Sequence, residues 1–98
     1  MGLDIEDKGN EYLVFAEAPG FDAKDFDIQV AGDRVVVKAR HNQESKEEGT
    51  RFRSFERSFT LPYGTKPDKV EARYRNGVLE FHMPKSPEAL GRRIEVKS

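Results

Sequence analysis

The chain has 98 residues, enough for one domain, and 36% of them are hydrophobic while another 36% are charged. Its 18 acidic and 17 basic residues nearly cancel, which excludes a strong field of one sign for binding nucleic acid or an anionic membrane. The lack of cysteine excludes disulfides and favours a reducing, cytoplasmic location. No apolar stretch approaches the roughly 20 residues that cross a bilayer.

Within the first forty residues, apolar and polar residues alternate along Leu3–Asp7 and from Phe26 to Val30, which is the pattern of half-buried β-strands, while Tyr12–Ala18 and the valine-rich Arg34–Arg40 are apolar runs that also predict strands. Turn pairs such as Pro19-Gly20 and Gly32-Asp33 separate the strands, and Ala23–Phe26 has room for one helical turn at most. The strands predicted in this half are Leu3–Asp7, Tyr12–Ala18, Phe26–Ala31 and Arg34–Arg40.

Residues 41–50 are almost wholly polar and show no periodicity, so they are predicted to form a long loop. Alternation resumes after this segment, with Phe55 and Phe59 on one face of a strand. Phe52 falls out of that register, which predicts a bulge or a separate short strand near Arg53.

A hairpin is predicted around Asn76-Gly77, the pair preferred in a type I′ turn because both positions need positive φ. Its strands are Val70–Tyr74 and Val78–Met83. Residues 1–85 are thus predicted to be one all-β domain, an immunoglobulin-like antiparallel β-sandwich of seven or eight strands, with a barrel as the alternative. Residues 86–98 are predicted to be a flexible C-terminal extension that carries Ile94-Glu95-Val96.

Residue types suited to catalysis or metal binding are sparse. The two histidines, His41 at the edge of the polar loop and His82 on a strand, have no zinc-type spacing. His82 should face away from its strand neighbours, and no Gly-rich phosphate loop is present. The arginines around Phe52 and Phe55 are predicted to lie outside a strand whose aromatics point inward, which is favoured over a nucleic-acid surface. We therefore predict no catalytic residue, metal or cofactor, and a protein that binds polypeptides.

The segment Ala72-Arg73-Tyr74-Arg75-Asn76-Gly77-Val78-Leu79 resembles the α-crystallin, or small heat-shock protein, family, and the long polar loop is similar to that of its bacterial and plant branch. Three further segments match the family in order and spacing: Ala18-Pro19-Gly20-Phe21, Ser58-Phe59-Thr60-Leu61-Pro62 and Met83-Pro84-Lys85. Together they cover almost the whole chain. The resemblance implies the α-crystallin domain, a sandwich of two antiparallel sheets.

The resemblance also implies an apolar groove between two strand edges. The matching groove residues are Phe26, Ile28, Val30, Val70, Ala72 and Tyr74. In the family, an Ile-x-Ile/Val peptide from a neighbouring subunit docks there, and Ile94 and Val96 match its apolar positions. Side chains alternate in an extended peptide, so both residues enter together while Glu95 stays in water. The alternative is that Ile94–Val96 adds a strand to its own domain.

A homodimer, and a higher oligomer held by the tails, are the assemblies that the resemblance implies. In bacterial and plant members, a strand of the long loop pairs with the partner's first strand, which here means part of Gly49–Ser54 against Leu3–Lys8. The implied dimer-interface residues are Leu3, Ile5, Thr50, Arg51, Phe52, Arg53 and Arg57.

The implied function is that of an ATP-independent holdase chaperone that binds unfolding client proteins and prevents their aggregation. An adaptor of the CS co-chaperone type shares the sandwich and is the alternative, although such domains lack both the Ile-x-Ile tail and the crossing loop. A carbohydrate-binding sandwich is a third candidate, but the chain has few amide side chains for it.

Overall fold

Seven β-strands make up most of the residues that the structure, a computed structural model, describes: 3–45, 49–87 and 94–97. The strands are β1 (Leu3–Asp7), β2 (Glu11–Glu17), β3 (Phe26–Ala31), β4 (Arg34–Ser45), β5 (Gly49–Thr60), β6 (Glu71–Arg75) and β7 (Val78–Pro84). Two 3₁₀ turns, Ala23–Asp25 and Pro67–Lys69, precede β3 and β6, and the first lies where the sequence left room for one helical turn at most.

The strands form two antiparallel sheets, one ordered β1-β2-β7-β6 and the other β3-β4-β5. The prediction of an all-β antiparallel sandwich is confirmed, and the separate sheets exclude the barrel. β6 and β3 are each the last strand of a sheet, so each keeps one edge without a neighbour in its own sheet. In the described part of the chain, no helix is long and apolar enough to span a membrane.

The core lies between the inward faces of the two sheets. Strand alternation places apolar side chains on these faces because successive residues of a strand point to opposite sides. The buried residues are Val14, Ala16, Ala18, Phe21, Val35, Val37, Ala39, Phe55, Leu61, Leu79, Phe81 and Met83. Phe81 is completely buried, and its ring centroid lies 5.2 Å from that of Phe59 on the opposite sheet. Aromatic contacts of this kind tie the sheets together.

The predicted long polar loop is wrong for most of its length. β4 and β5 pair residue for residue from Arg34 opposite Thr60 to Ser45 opposite Gly49. Residues 41–45 and 49–50 therefore extend the two strands, and 46–48 lie outside the described residues. The described side chains of Asn42 and of residues 52–54 are exposed. Backbone pairing alone can hold such a stretch, so it needs no apolar face and shows no alternation.

The predicted bulge near Arg53 is also wrong, because the pairing of β4 with β5 continues unbroken through Phe52 and Phe55. These two rings lie three residues apart and hence face opposite sides of the sheet: Phe55 is 5% exposed and Phe52 is 61% exposed. The guanidinium of Arg40 lies 4.8 Å from the centroid of the Phe52 ring. Phe52 thus interrupts the alternation of apolar residues along β5 because its ring lies on the outer face of the sheet, in contact with the Arg40 cation.

Arg57 shares the inward face of β5 with Phe55 and Phe59, so the predicted separation of aromatics and arginines is wrong there. Its guanidinium carbon lies 5.2 Å from the centroid of the Phe55 ring, and its Nη1 donates a 2.7 Å hydrogen bond to the carbonyl of Glu56. β5 is an edge strand, where a long side chain can cover an apolar ring while its charged end reaches polar groups.

Candidate peptide-binding groove

A cavity of about 200 Å³ lies between the edge strands β3 and β6. It is lined by Ala23, Phe26, Ile28, Ala72, Arg73, Tyr74 and Leu79. Four predicted groove residues, namely Phe26, Ile28, Ala72 and Tyr74, are therefore brought together. Val30 and Val70 are not in this lining: Val30 is 36% exposed, and Val70 packs half-buried against the core.

Aromatic contacts fix one end of the cavity. The ring centroids of Phe26 and Tyr74 lie 4.8 Å apart, which links the edge of one sheet to the edge of the other. Phe26 also contacts Phe21, with 5.6 Å between the centroids. The phenol oxygen of Tyr74 donates a 2.6 Å hydrogen bond to the carbonyl of Ala18. Because both ends of the Tyr74 side chain are held, this wall of the cavity is well defined.

The turn next to this wall is the one that the sequence predicts. Asn76 has a φ of 52° and Gly77 a φ of 77°, as a type I′ turn requires. The carbonyl of Gly77 accepts a 2.8 Å hydrogen bond from the backbone N–H of Ala18, and a Cβ added at Gly77 would lie 3.4 Å from the Cα of Pro19. Two of the segments that carry the family resemblance thus meet in space.

The tail motif is exposed in this structure. Residues 94–97 belong to no strand, and the exposed fractions are 81% for Ile94 and 97% for Val96. The alternative in which Ile94–Val96 adds a strand to its own domain is therefore not what the structure shows. Residues 88–93 and 98 of the predicted extension lie outside the described residues.

The predicted dimer-interface residues lie on β1 and β5. These are the edge strands at the opposite ends of the two sheets from β6 and β3. Leu3 packs partly against the core, whereas Ile5 is 56% exposed. The guanidinium of Arg53 lies against Gly20. The side chains of Thr50 and Arg51 are outside the described part of the chain. Because residues 49–54 pair with β4 of their own chain, a crossing to a partner would have to use the outer edge of β5.

His82 faces away from the core, as predicted, on the outer side of β7. Its Nε2 lies 3.4 Å from a carboxylate oxygen of Glu80, and its Nδ1 lies 3.7 Å from one of Glu11. His82 and Glu11 border a cavity of about 420 Å³ that is lined mostly by charged side chains, including Asp68 and Glu71. Such a lining does not suit an apolar peptide, so the smaller groove is the better candidate site.

His41 lies within β4 and not at the edge of a loop, which corrects the prediction. Its Nδ1 lies 2.7 Å from Asp25 Oδ2 and 3.9 Å from Asp22 Oδ2. The backbone N–H of Asp22 also donates a 2.8 Å hydrogen bond to the Asp25 carboxylate. This bond first, and then the one to His41, hold the pKa of Asp25 below its ordinary value. The ligand atoms of the three residues lie within 4.8 Å of one another, but the contacts already made serve to anchor the 3₁₀ turn to β4.

Three residues of the groove were missed by the sequence reasoning: Ala23, Arg73 and Leu79. Arg73 alternates along β6 with the predicted Ala72 and Tyr74, and the sequence analysis assigned it no role in the groove. Leu79 entered the sequence analysis only as part of the segment that resembles the family, without a place in the groove. The signal that would have found Arg73 is its place on an edge strand, where an outward side chain borders the open side of the groove.

Known proteins resemble this chain in both sequence and structure. The model of the Hsp20/alpha crystallin family matches residues 4–97. A spore protein of Stigmatella aurantiaca is 39% identical over 103 residues, covering 98% of this chain and 61% of that protein. A small heat shock protein of Rickettsia felis is 32% identical, covering 96% of this chain and 66% of that protein. The chain thus spans less than two thirds of either relative.

Solved structures agree with these relatives. A small heat-shock protein of Xylella fastidiosa superposes with a TM-score of 0.74 at 29% identity, covering 99% of this chain and 95% of that one. A rat alpha crystallin domain superposes with a TM-score of 0.69 at 25% identity, covering 97% and 96%. Since the family model matches nearly every residue and the sandwich is shared, this chain belongs to the Hsp20/alpha crystallin family.

Proposed function

We propose that this chain is the chaperone domain of an ATP-independent holdase, which binds partly unfolded proteins in the cytoplasm and keeps them from aggregating. Family membership supports a chaperone role. The observation that carries the proposal is the apolar groove between the open edges of β3 and β6, since an unpaired strand edge beside an apolar cavity is suited to extended polypeptide. Its volume of about 200 Å³ is below the roughly 300–1,000 Å³ of small-molecule sites, so it suits a few side chains.

The proposed occupant of the groove is the tail of a neighbouring subunit. In this proposal residues 86–98 act as an extension from the domain of residues 1–85, and Ile94 and Val96 enter the groove. Burying each side chain is worth about 1.5–3 kcal/mol, and ordering the tail offsets much of this. One contact is therefore weak and reversible, while several contacts in one particle hold an oligomer together.

Clients would bind to apolar surface that the single chain exposes. The large exposed apolar residues among those described are Ile5, Val30, Phe52, Tyr63, Ile94 and Val96. A partly unfolded client presents apolar side chains and unpaired backbone, which such a surface and the sheet edges can cover. We place the homodimer contact at the outer edges of β1 and β5, where Ile5 and Phe52 lie.

Two measurements test the proposed function. The double change Ile94→Gly and Val96→Gly should lower the mass of any oligomer beyond the dimer in light scattering, whereas Lys97→Gly should not. An unchanged mass counts against the docking. In a heat-aggregation assay without ATP, the chain should suppress the aggregation of model clients. If it suppresses none and instead binds one folded protein tightly, the CS-type adaptor is the correct alternative.

A further inference from the structure

We propose that Arg73 sets the register of the docked tail by pairing with Glu95, and that the tail adds to the edge of β6 and not to the edge of β3. The inference rests on the tail docking proposed above. It adds the strand edge that receives the tail, the residue register and one ion pair.

Among the described residues, Arg73 is the only charged residue that lines the groove. It lies between Ala72 and Tyr74 on β6, and it borders both the apolar groove and the charged cavity on the outer face of the sheet. Its guanidinium makes no ion pair with any residue that the structure describes, although Glu80 lies opposite it in the strand register. The Glu80 carboxylate is instead 3.6 Å from Arg75 and 3.4 Å from His82.

An extended peptide on the free edge of β6 must follow the alternation of that strand, because directly opposed residues of paired strands point to the same face. If Ile94 and Val96 face the groove, they lie opposite Ala72 and Tyr74, and Glu95 then lies opposite Arg73. This holds whether the tail runs parallel or antiparallel to β6, since Glu95 is the middle one of the three residues. Opposed Cβ atoms lie about 4.5–5.5 Å apart, within reach of an ion pair.

Other registers on β6 are disfavoured by charge. A slip of two residues in one direction places Glu95 opposite Glu71, which repels it. A slip in the other direction places it opposite Arg75, which already lies beside Glu80 and next to the turn at Asn76. The residues that flank the motif do not decide whether the tail runs parallel or antiparallel to β6. In one direction Arg93 would lie opposite Glu71 and Lys97 opposite Arg75, and in the other direction these two partners are exchanged. The central pair therefore decides the register.

Charge also disfavours the opposite wall of the groove. On β3 the residue between Phe26 and Ile28 is Asp27, which is exposed. A tail that placed Ile94 and Val96 opposite those two apolar residues would set Glu95 against Asp27. Like charges opposed on neighbouring strands are destabilising. The two walls of one apolar groove thus differ in charge, and the wall with Arg73 matches the tail.

A charge-swap cycle tests the inference. A fluorescent peptide of residues 91–98 is titrated with the full chain that carries Ile94→Ser and Val96→Ser, so that its own tail does not compete. Arg73→Glu should weaken peptide binding about three- to tenfold at low ionic strength, and a Glu95→Arg peptide should restore it to within about twofold. Arg75→Glu, the same charge reversal two residues away, should have a smaller effect. High salt should remove the difference.

The outcomes separate the two proposals. If the peptide binds but the effects of Arg73→Glu and Glu95→Arg simply add, or if Arg75→Glu weakens binding as much, the register inference is wrong while the docking stands. If the chain with Arg73 unchanged binds neither peptide, the proposed docking itself is wrong, and the register inference is wrong as well. Arg73→Gln, which removes the charge without reversing it, should give an intermediate loss. Thermal unfolding of each variant shows that the exposed substitution leaves the domain folded.

Discussion

The phenol of Tyr74 donates a 2.6 Å hydrogen bond to the carbonyl of Ala18, a residue 56 positions earlier in the chain. The backbone N–H of Ala18 in turn donates to the carbonyl of Gly77 at 2.8 Å. The Tyr74 ring meanwhile contacts Phe26 across the gap between the sheets. One side chain therefore joins the turn after β2, the hairpin of β6 and β7, and the far wall of the groove.

Tyr74→Phe should lower the free energy of unfolding by about 0.5–1.5 kcal/mol, because the Ala18 carbonyl loses a donor while the ring contact with Phe26 remains. Urea unfolding measures this loss. Tyr63→Phe is the matched control, since Tyr63 is 84% exposed, and its effect should stay within about 0.5 kcal/mol. Equal losses for the two variants would show that the hydrogen bond does not stabilise the domain.

Phe55 and Phe52 should respond very differently to replacement by alanine. Phe55 is 5% exposed and Phe52 is 61% exposed, so Phe55→Ala should cost about 3–5 kcal/mol and Phe52→Ala well under 1 kcal/mol. The same urea experiment tests both. A large cost at Phe52 in a dilute, monomeric sample would contradict the unbroken register of β5. At high concentration, where the proposed dimer would form, an added cost at Phe52 is the expected sign of the proposed interface.

Ala72→Leu should weaken binding of the tail peptide about tenfold, because three further carbon atoms would occupy the groove between β3 and β6. Its effect on unfolding should be small, since Ala72 is exposed. Ala31→Leu is the matched control: it adds the same atoms at an exposed position of β3 that does not line the cavity. Fluorescence titration measures the binding, and comparable losses for both variants would argue against docking at this site.

The stability of the domain should fall on acidification. The Lys85 ammonium first, and then the backbone N–H of Gly9, hold the pKa of Asp7 below its ordinary value of 3.8, and Asp25 is lowered likewise. A carboxyl with a lowered pKa in the folded state contributes stability that is complete above its unfolded pKa of about 3.9. That contribution is lost as the pH falls through the lower, folded value.

Urea midpoints measured from neutral pH downward should therefore decline once the pH passes below about 4. The double variant Asp7→Asn and Asp25→Asn should reduce stability at neutral pH, and its urea midpoint should decline less steeply in acid. Asp4→Asn, at an exposed position of β1, is the control, and its urea midpoint should decline in acid as steeply as that of the unchanged chain. An unchanged slope in the double variant would show that other carboxyls govern the acid response.

Local features of the sequence determined much of the fold. Alternation of apolar residues identified the inward faces of β3 and β7, because the period of two belongs to each strand by itself. The Asn76-Gly77 pair determined its turn for the same reason, since few other pairs tolerate two positive φ angles. These features, with the matching segments, were also sufficient to indicate the family.

Only the tertiary structure decided the length of the hairpin of β4 and β5 and the true lining of the groove. Residues 41–45 carry no alternation, and their strand is made by backbone hydrogen bonds to residues 49–53. The groove is the space between two sheets whose facing edges do not pair with each other, so its shape depends on how the sheets stack. That stacking admits Ala23 and Leu79 and leaves out Val30 and Val70, a result that no local pattern contains.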